Sequence, residues 1–520
     1  MSARLPSFWI RVGLALALVA AADVLMWEAD GVERFGANLG LLSLAVVLAV
    51  VLATPALRRH SLSAIALTVA TALAALQVER ATFVGWLGFA LALAVAVLAP
   101  RAPSGQDGWR WAQRIVAAGF KGLVAPLLDL RDLLKVRARR GPVRIAIVLT
   151  GALLPVVGGA VFLSLFAAAN PIISDALGGL RLPEADIARA VFWAMIAIVA
   201  WCLLRPRGLR RTLKTPGLDG DLDLPGVTTA SITISLALFN LIFALQNGLD
   251  LAFLWSGAGL PQGVTFADYA HRGAYPLIAT ALLAGLFVVT FLRPGSATAA
   301  DRRVRLLVVV WVAQNLFLLA STALRTVDYI EVYSLTRMRI AALIWMALVA
   351  TGLVLICWRM LRGKSSGWLI NANLAALGVV LVLCSVFDLG AFAAAWNVRR
   401  LPSATAKGVE LDLCYFDRLG GAGIVSLAEL ERGLPAGDLR ERVAWKRQAL
   451  TFQVAQQQTH WQGWRWRDAR RLHRVAALAN EVVPRDPGKR ATCDGRYRLL
   501  NPTPVPSPAP PLTPTPNPGT

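Results

Sequence analysis

Tyrosine, arginine and aspartate side chains recur in two stretches of a chain that is otherwise strongly apolar. One stretch contains Tyr269 and Arg272, and the other runs from Arg325 to Arg339. Arginine is a fork-shaped donor for carboxylates and phosphates, and tyrosine is an amphipathic wall. The pattern predicts a binding site for an anionic or hydroxyl-rich group, built from Tyr269, Arg272, Arg325, Asp328, Tyr329, Tyr333, Thr336 and Arg337.

The same residues have a second interpretation. Tyrosines anchor and arginines snorkel at the surface of a bilayer, so the cluster could be an interfacial belt without a ligand. Four of the eight basic residues in the predicted outer loops fall in these two stretches, which favours a site for the assembled cluster.

No other set of residues has the spacing of a catalytic or metal site. The chain has four histidines and five cysteines, and they are scattered. We therefore predict no catalytic residue, no cofactor and no metal. Cys414 and Cys493 both fall in a polar C-terminal region, and two thiols in one exported region predict a disulfide. Two unrelated buried thiols are the alternative.

The elements that must position these residues are apolar helices. Hydrophobic residues make up 56% of the 520 residues and charged residues only 16%, against about 25% charged in soluble domains. Windows of this kind cross a bilayer as helices, because lipid offers the backbone no hydrogen bonds. Eleven spans are predicted, near 9–27, 38–57, 61–78, 81–99, 143–169, 187–204, 227–255, 274–292, 304–326, 338–360 and 368–393.

Lysines and arginines set the predicted orientation. With the N-terminus inside, the inner segments hold 26 basic residues and the outer loops hold 8. Basic residues stay on the cytoplasmic side, so we predict a cytoplasmic N-terminus and, after an odd number of spans, an extracytoplasmic C-terminus. Cleavage of the first span as a signal peptide is an alternative. The net charge of +22 then reflects anionic lipid, not nucleic acid.

One segment outside the spans has an amphipathic pattern. Residues 109–136 have apolar and basic residues at helical spacing, which predicts an amphipathic helix on the lipid surface, kinked or split at Pro126. A partner-binding helix is the alternative.

The predicted fold is an all-α integral membrane protein with a small, mainly helical C-terminal extracytoplasmic domain. Its parts are a four-helix membrane segment (1–99), a basic cytoplasmic loop (100–142), a seven-helix membrane core (143–393), the C-terminal domain (394–500) and a disordered Pro-rich tail (501–520).

Several motifs in order carry a resemblance to a known family. They are the apolar span with its Asn-Pro exit at 153–174, Phe266-Ala-Asp-Tyr-Ala-His-Arg-Gly273, Ala320-Ser-Thr-Ala-Leu-Arg325 with the tyrosines and arginines that follow, Leu411-Asp-Leu-Cys-Tyr415, and Gly463-Trp-Arg-Trp-Arg-Asp-Ala-Arg470. Over roughly 140–480 the chain resembles the bacterial inner-membrane family catalogued as domain of unknown function 4173, which is similar to a sister family numbered 4153. Ser334 stands where that family has glycine. The resemblance implies a helical fold in the bacterial inner membrane and no particular activity.

These observations lead to one leading function and two alternatives. The leading hypothesis is a non-enzymatic inner-membrane protein that binds or senses an envelope component, lipid or protein, or supports a partner. A transporter would need a polar path at mid-membrane. A membrane enzyme acting on a lipid-linked substrate would need an outer carboxylate as its acid or base. The polar residues that such a transport path would use are Asn240, Gln246, Gln314, Asn315, Asn371 and Asp388. The candidate carboxylates for the enzyme are Asp250, Asp268, Asp328 and Glu331.

Overall fold

The computed structural model describes most of the membrane helices and most of the C-terminal region. The described residues are 5–27, 36–138, 158–159, 170, 187–207, 212–213, 228–256, 266–293, 295–406, 411–478, 489–494 and 496–499. The fifth predicted span (143–169) and the Pro-rich tail (501–520) lie outside them, apart from two residues of that span.

The first eleven labelled helices make up the apolar part of the chain and the cytoplasmic loop. In chain order they are α1 (Leu5–Ala22), α2 (Ala37–Ala53), α3 (Ser61–Glu79), α4 (Phe83–Leu98), α5 (Gly108–Ala138), α6 (Ile187–Leu204), α7 (Thr229–Asp250), α8 (Phe266–Phe291), α9 (Arg302–Tyr333), α10 (Arg337–Arg362) and α11 (Ser366–Val386). Single turns of π-helix extend α1 over Asp23–Trp27 and α7 over Leu251–Trp255. Short helical turns lie at Pro55–Arg59, Ala99–Arg101 and Ala297–Ala300.

Eight helices among the described residues are long and apolar enough to cross a membrane, and Ala37–Ala53 and Ala279–Phe291 are shorter apolar helices. The protein is therefore a helical, membrane-embedded chain. These ten segments match ten of the predicted spans, while the count of eleven stays a prediction. Polar caps mark where several helices begin: Thr82 and Thr336 accept hydrogen bonds from backbone N–H groups of the first turn.

Three helix boundaries differ from the sequence prediction, and all three move residues of interest. α8 begins at Phe266, so Tyr269 and Arg272 lie on a helix and not in a loop. α9 continues to Tyr333, because nothing in its last turns breaks helical geometry. The predicted last span, 368–393, ends at Val386, since the Asp388 side chain accepts hydrogen bonds from the Gly390 and Ala391 N–H groups and starts a new helix.

The membrane helices pack in two groups. One core joins α1, α2, α3, α4 and α6, and the other joins α7, α8, α9 and α10. α11 contacts α4, α5 and α10 and so touches both groups. Gly40 lets α2 approach α3 closely, because a Cβ there would lie 2.3 Å from Val78 Cγ2.

The amphipathic cytoplasmic loop forms the single helix α5, which is not split at Pro126. Its Asp129 carboxylate accepts hydrogen bonds from Trp201 Nε1 at 2.9 Å and from Arg207 at 2.5 Å, and it pairs with Arg205 at 2.7 Å. These contacts fix α5 to the end of α6. Val116, Phe120, Leu123 and Leu127 lie at helical spacing and are exposed, as a face that lies on lipid requires.

Residues after α11 form a helical region with a core of its own. Its elements are α12 (Leu389–Ala406), α13 (Leu413–Leu419), α14 (Ile424–Gly433), α15 (Asp438–Gln458), α16 (Trp466–Leu478), helical turns at Gly420–Ala422 and Trp461–Gly463, and two antiparallel strands, β1 (Lys489–Ala491) and β2 (Tyr497–Leu499). Phe416, Ile424 and Leu427 are fully buried in this core. Cys414 and Cys493 form a disulfide with a Cα–Cα distance of 4.8 Å, which joins α13 to the β-hairpin.

Candidate functional site

The predicted tyrosine-arginine cluster divides into separate groups in the structure. Tyr269 and Arg272 lie in the first turns of α8, where the structure describes the backbone only. Arg325 is buried and forms an ion pair with the buried Asp250 of α7. It therefore faces the second membrane group and not an outer surface.

A second group lies at the end of α9. The Tyr329 and Tyr333 rings are 4.8 Å apart, and the Arg339 guanidinium lies over the Tyr329 ring at 4.2 Å. Arg339 also donates to the Tyr333 and Ser334 carbonyl oxygens. The side chains of Tyr329, Tyr333 and Arg339 therefore contact one another and the backbone of the α9–α10 turn. Thr336 caps α10.

Arg337 contacts the C-terminal region. Its backbone N–H donates to the Tyr415 hydroxyl at 2.7 Å, and its guanidinium donates to the carbonyl oxygens of Arg418 at 3.2 Å and Leu419 at 3.3 Å. The first turn of α10 is therefore in contact with α13 of the C-terminal region. This contact forms one wall of a cavity.

The cavity lies where the α3–α4 turn, the start of α10 and the end of α11 meet the C-terminal region. Its volume is about 470 Å³, in the range of sites for small molecules (roughly 300–1,000 Å³). We call it the arginine cavity. Its charged lining residues are Glu79, Arg80, Arg337, Asp388, Asp417, Arg418, Arg465, Arg467, Asp468 and Arg471, so that six arginines face four carboxylates.

Asp388 is the central carboxylate of the arginine cavity. Its side chain is 12% exposed, and it pairs with Arg80 at 3.6 Å, with Arg467 at 3.6 Å and with Arg471. Burial by itself would raise the pKa of Asp388, but the charges of Arg471 and Arg80 and the hydrogen bond from Ala391 outweigh it, so the pKa lies below its usual value. This carboxylate stays ionised and holds three arginines together.

α16 supplies the opposite wall. Arg467 and Arg471 are four residues apart, so they share one face of the helix. Arg467 donates to Glu79 at 2.6 Å, and Arg471 donates to Asp468 at 2.5 Å. Because Glu79 ends α3 and Arg467 lies on α16, this pair joins the membrane helices to the C-terminal region.

Two glycines make room for these charges. A Cβ at Gly390 would lie 2.3 Å from Arg337 Nη2, and a Cβ at Gly421 would lie 2.9 Å from Asp468 Oδ1. A side chain at residue 390 would therefore displace the Arg337 guanidinium from its position over the first turn of α12.

Two arginines of the cavity have no carboxylate within ion-pair distance among the described residues. The Arg337 guanidinium donates only to backbone carbonyls, and Arg418 is an exposed residue that lines the cavity. The cavity therefore carries surplus positive charge beside guanidinium groups that an added anion can reach. Arginine forks match the geometry of phosphate and carboxylate oxygens.

Most of this site was missed from the sequence. Only Arg337 belongs to the predicted cluster, while Asp388 is one of the residues predicted for a possible membrane path. In the chain, Asp388 is far from Arg80 and also from the neighbouring pair Arg467 and Arg471. Only tertiary packing brings these side chains together. One signal is visible in the sequence: Arg467 and Asp468 belong to the motif Gly463–Arg470, and Arg471 follows Arg467 at helical spacing.

Comparison with known proteins identifies one family. The family described as "Domain of unknown function (DUF4153)" matches residues 61–430, which is more than half of the chain. The chain belongs to this family. The match is thus to the sister of the family numbered 4173 that the motifs resemble. It includes Arg80, Arg337 and Asp388, whereas Arg467 and Arg471 lie beyond it. No curated protein and no solved structure matches the chain significantly.

Proposed function

We propose that this protein is a non-enzymatic membrane protein that binds the phosphate-bearing headgroup of an envelope lipid in the arginine cavity. The observation that carries the proposal is the pair of guanidinium groups, Arg337 and Arg418, that face the cavity without a carboxylate partner in the described part of the chain. A phosphate would complete the charge balance there.

The position of the cavity favours a lipid over a free anion. Phe83 lines the cavity and is 75% exposed, and Phe387 next to Asp388 is 62% exposed. Both residues adjoin the ends of apolar helices, Phe83 at the start of α4 and Phe387 just after α11. A headgroup among the arginines would therefore leave its acyl chains beside aromatic side chains at the bilayer surface.

The proposal keeps the orientation predicted from the basic residues. The cavity would face the extracytoplasmic side of a bacterial inner membrane, where the disulfide between Cys414 and Cys493 is stable. Binding could then report on the lipid composition of the envelope or dock a partner at the C-terminal region.

The enzyme alternative is less well supported by the geometry. Asp250 pairs with the buried Arg325, and Glu331 pairs with Arg400 at 3.1 Å. Both carboxylates are therefore already engaged by arginines. Asp268 lies where side chains are not described, and Asp328 faces no cavity that we describe.

A thermal-shift titration tests the proposal. Short-chain phosphatidylglycerol added to the detergent-solubilised protein should raise its unfolding temperature, while short-chain phosphatidylcholine at equal concentration should raise it much less. Since a hydrogen bond to a charged group contributes about 1.5–3 kcal/mol, the double variant R337Q/R418Q should bind about 10- to 100-fold more weakly.

Two further variants sharpen this test. R432Q removes one exposed arginine outside the cavity and should bind as the wild type does. G390A should weaken binding because its Cβ displaces the Arg337 guanidinium, whereas G433A, whose Cβ meets nothing within 4 Å, should not. Equal affinity of the wild type and R337Q/R418Q for phosphatidylglycerol would reject the proposal.

A further inference from the structure

A second polar feature lies inside the membrane part, between α7 and α9. Asn240, Asn247 and Asp250 are spaced seven and three residues apart, so they form one stripe along α7. Ten residues of helix rise about 15 Å, roughly half the thickness of a hydrocarbon layer. We call the stripe and the side chains facing it from α9 the polar seam.

Side-chain hydrogen bonds cross the polar seam at each level. Gln314 Nε2 donates to Asn240 Oδ1 at 2.8 Å, and Asn247 Nδ2 donates to the Gln314 carbonyl at 3.1 Å. Arg325 and Gln246 both donate to Asp250 Oδ1. The two helices are therefore joined by polar groups over this length.

The seam also contains buried polar atoms without a partner in the described structure. Four are acceptors and one is a donor, and two of the residues, Asn315 and Asp250, are 0% and 3% exposed. Buried polar groups are nearly always hydrogen-bonded, because leaving one unpaired costs about 1–3 kcal/mol. The atoms are Asn247 Oδ1, Asp250 Oδ2, Gln314 Oε1, Asn315 Oδ1 and Trp311 Nε1.

The chemistry of these atoms selects the occupant. A metal cation could satisfy the oxygens but not the Trp311 N–H, and the Asp250–Arg325 pair is already neutral. Water and hydroxyl groups both donate and accept, so they can satisfy all five atoms without adding charge. We propose that the polar seam is a hydrated, uncharged site at membrane depth that binds water and small hydroxyl-bearing ligands.

This site is independent of the arginine cavity, and it gives the transport alternative a specific place in the molecule. Four of the six residues named for a polar path contribute to it: Asn240, Gln246, Gln314 and Asn315. Asn371 does not, because its side-chain oxygen accepts from the Gly108 N–H at 2.7 Å at the start of α5. Asp388 belongs to the arginine cavity.

Cysteine accessibility tests the site in proteoliposomes. The background carries C202A, C357A and C384A and keeps the Cys414–Cys493 disulfide. N247C is compared with L245C, which lies two residues away on an exposed, lipid-facing position of the same helix. A charged methanethiosulfonate should modify N247C at least ~10-fold faster, since only a hydrated thiol forms the reactive thiolate.

A second pair on α9 covers the case in which N247C does not fold. Q314C should react fast and the exposed V310C slowly. Glycerol at high concentration should slow the modification of N247C and Q314C but leave the controls unchanged. Equal rates for seam and control cysteines would overturn the hydrated site, and a lack of protection by glycerol would overturn the hydroxyl-ligand part of the proposal.

Discussion

At the scale of single residues, Ser334 has a backbone conformation that is unusual for a residue other than glycine. Its φ of +68° and ψ of 163° lie in a region that glycine adopts freely and other residues rarely do. Ser334 lies between the helices that hold Arg325 and Arg337. The turn is therefore built for glycine, and this chain tolerates a serine there.

Replacing Ser334 with glycine should stabilise the protein. Relief of backbone strain contributes about 1 kcal/mol or more, partly offset by the greater freedom of glycine in the unfolded chain. Thermal unfolding of S334G should thus begin at a higher temperature than that of the wild type. S104G, in an exposed turn without positive φ, is the control. An S334G variant that unfolds earlier than the wild type would show that the turn does not strain the chain.

Asp388 gives a second prediction at this scale. A carboxyl whose folded-state pKa is lowered stabilises the fold above its unfolded pKa of about 4, and this contribution is lost as the pH falls through the folded value. D388N keeps a cap for α12 but leaves three arginines without their shared anion. It should cost about 3 kcal/mol at neutral pH.

The measurement is the unfolding temperature as a function of pH. The wild type should lose stability in acid, and the difference between the wild type and D388N should shrink there, since the carboxyl is then protonated in both states. D438N, at a carboxylate whose side chain is 81% exposed, is the matched control. A difference that does not depend on pH would contradict the role given to Asp388.

At the scale of elements, the disulfide attaches the C-terminal β-hairpin to α13. Cys493 lies in the turn between β1 and β2, and the Arg442 side chain donates to the Asp494 carbonyl at 2.9 Å. Three-residue strands are too short to be stable alone. The covalent link to α13 and the Arg442 hydrogen bond therefore hold this hairpin on the helices.

Thiol counting tests the disulfide in protein purified without reductant. Three of the five cysteines, Cys202, Cys357 and Cys384, should react in denaturant, and all five should react after reduction. The variant C414S/C493S should lose about 4 kcal/mol in the chain-entropy account of a loop of this length. Faster hydrogen exchange should appear first at 489–499. Five reactive thiols before reduction would show that the bond is absent.

The elements also show how far sequence alone reaches. Ten apolar helices follow from hydropathy, because lipid leaves the backbone no alternative to helix. The end of α11 did not follow, because apolar residues continue past Asp388 and hide the cap that this aspartate provides. The ion pairs Arg80–Asp388 and Glu79–Arg467 join residues that are hundreds of positions apart, and no local pattern records such pairing. The predicted span 304–326 puts Arg325 near the outer surface, whereas α9 continues to Tyr333 and Arg325 is buried within it.

At the scale of the whole molecule, the C-terminal region is a cover on one end of the membrane helices. It contacts the α3–α4 turn through Arg467, the start of α10 through Tyr415, and the start of α2, where the Ala37 N–H donates to the Trp464 carbonyl at 2.8 Å. Three separated helix ends thus meet one helical region. Which side of the membrane this end faces determines the lipid leaflet that the cavity can sample.

Reporter fusions test the orientation. Alkaline phosphatase fused after Leu478 should be active, because this enzyme folds only outside the cytoplasm, and a fluorescent protein at the same site should stay dark. Fusions after Arg101, in the basic loop predicted to be inside, should behave in the opposite way. A fluorescent fusion after Leu478 would place the cavity on the cytoplasmic leaflet and remove the oxidising environment assumed for the disulfide.

The most direct test of the lipid-headgroup account is native mass spectrometry of the protein extracted from its own membrane in mild detergent. We expect the wild type to retain one anionic phospholipid, R432Q to retain it as well, and R337Q/R418Q to lose it while still eluting as a folded, monodisperse protein on size exclusion. Equal retention of anionic lipid by the wild type and R337Q/R418Q, or no retained phospholipid in any of them, would contradict the account.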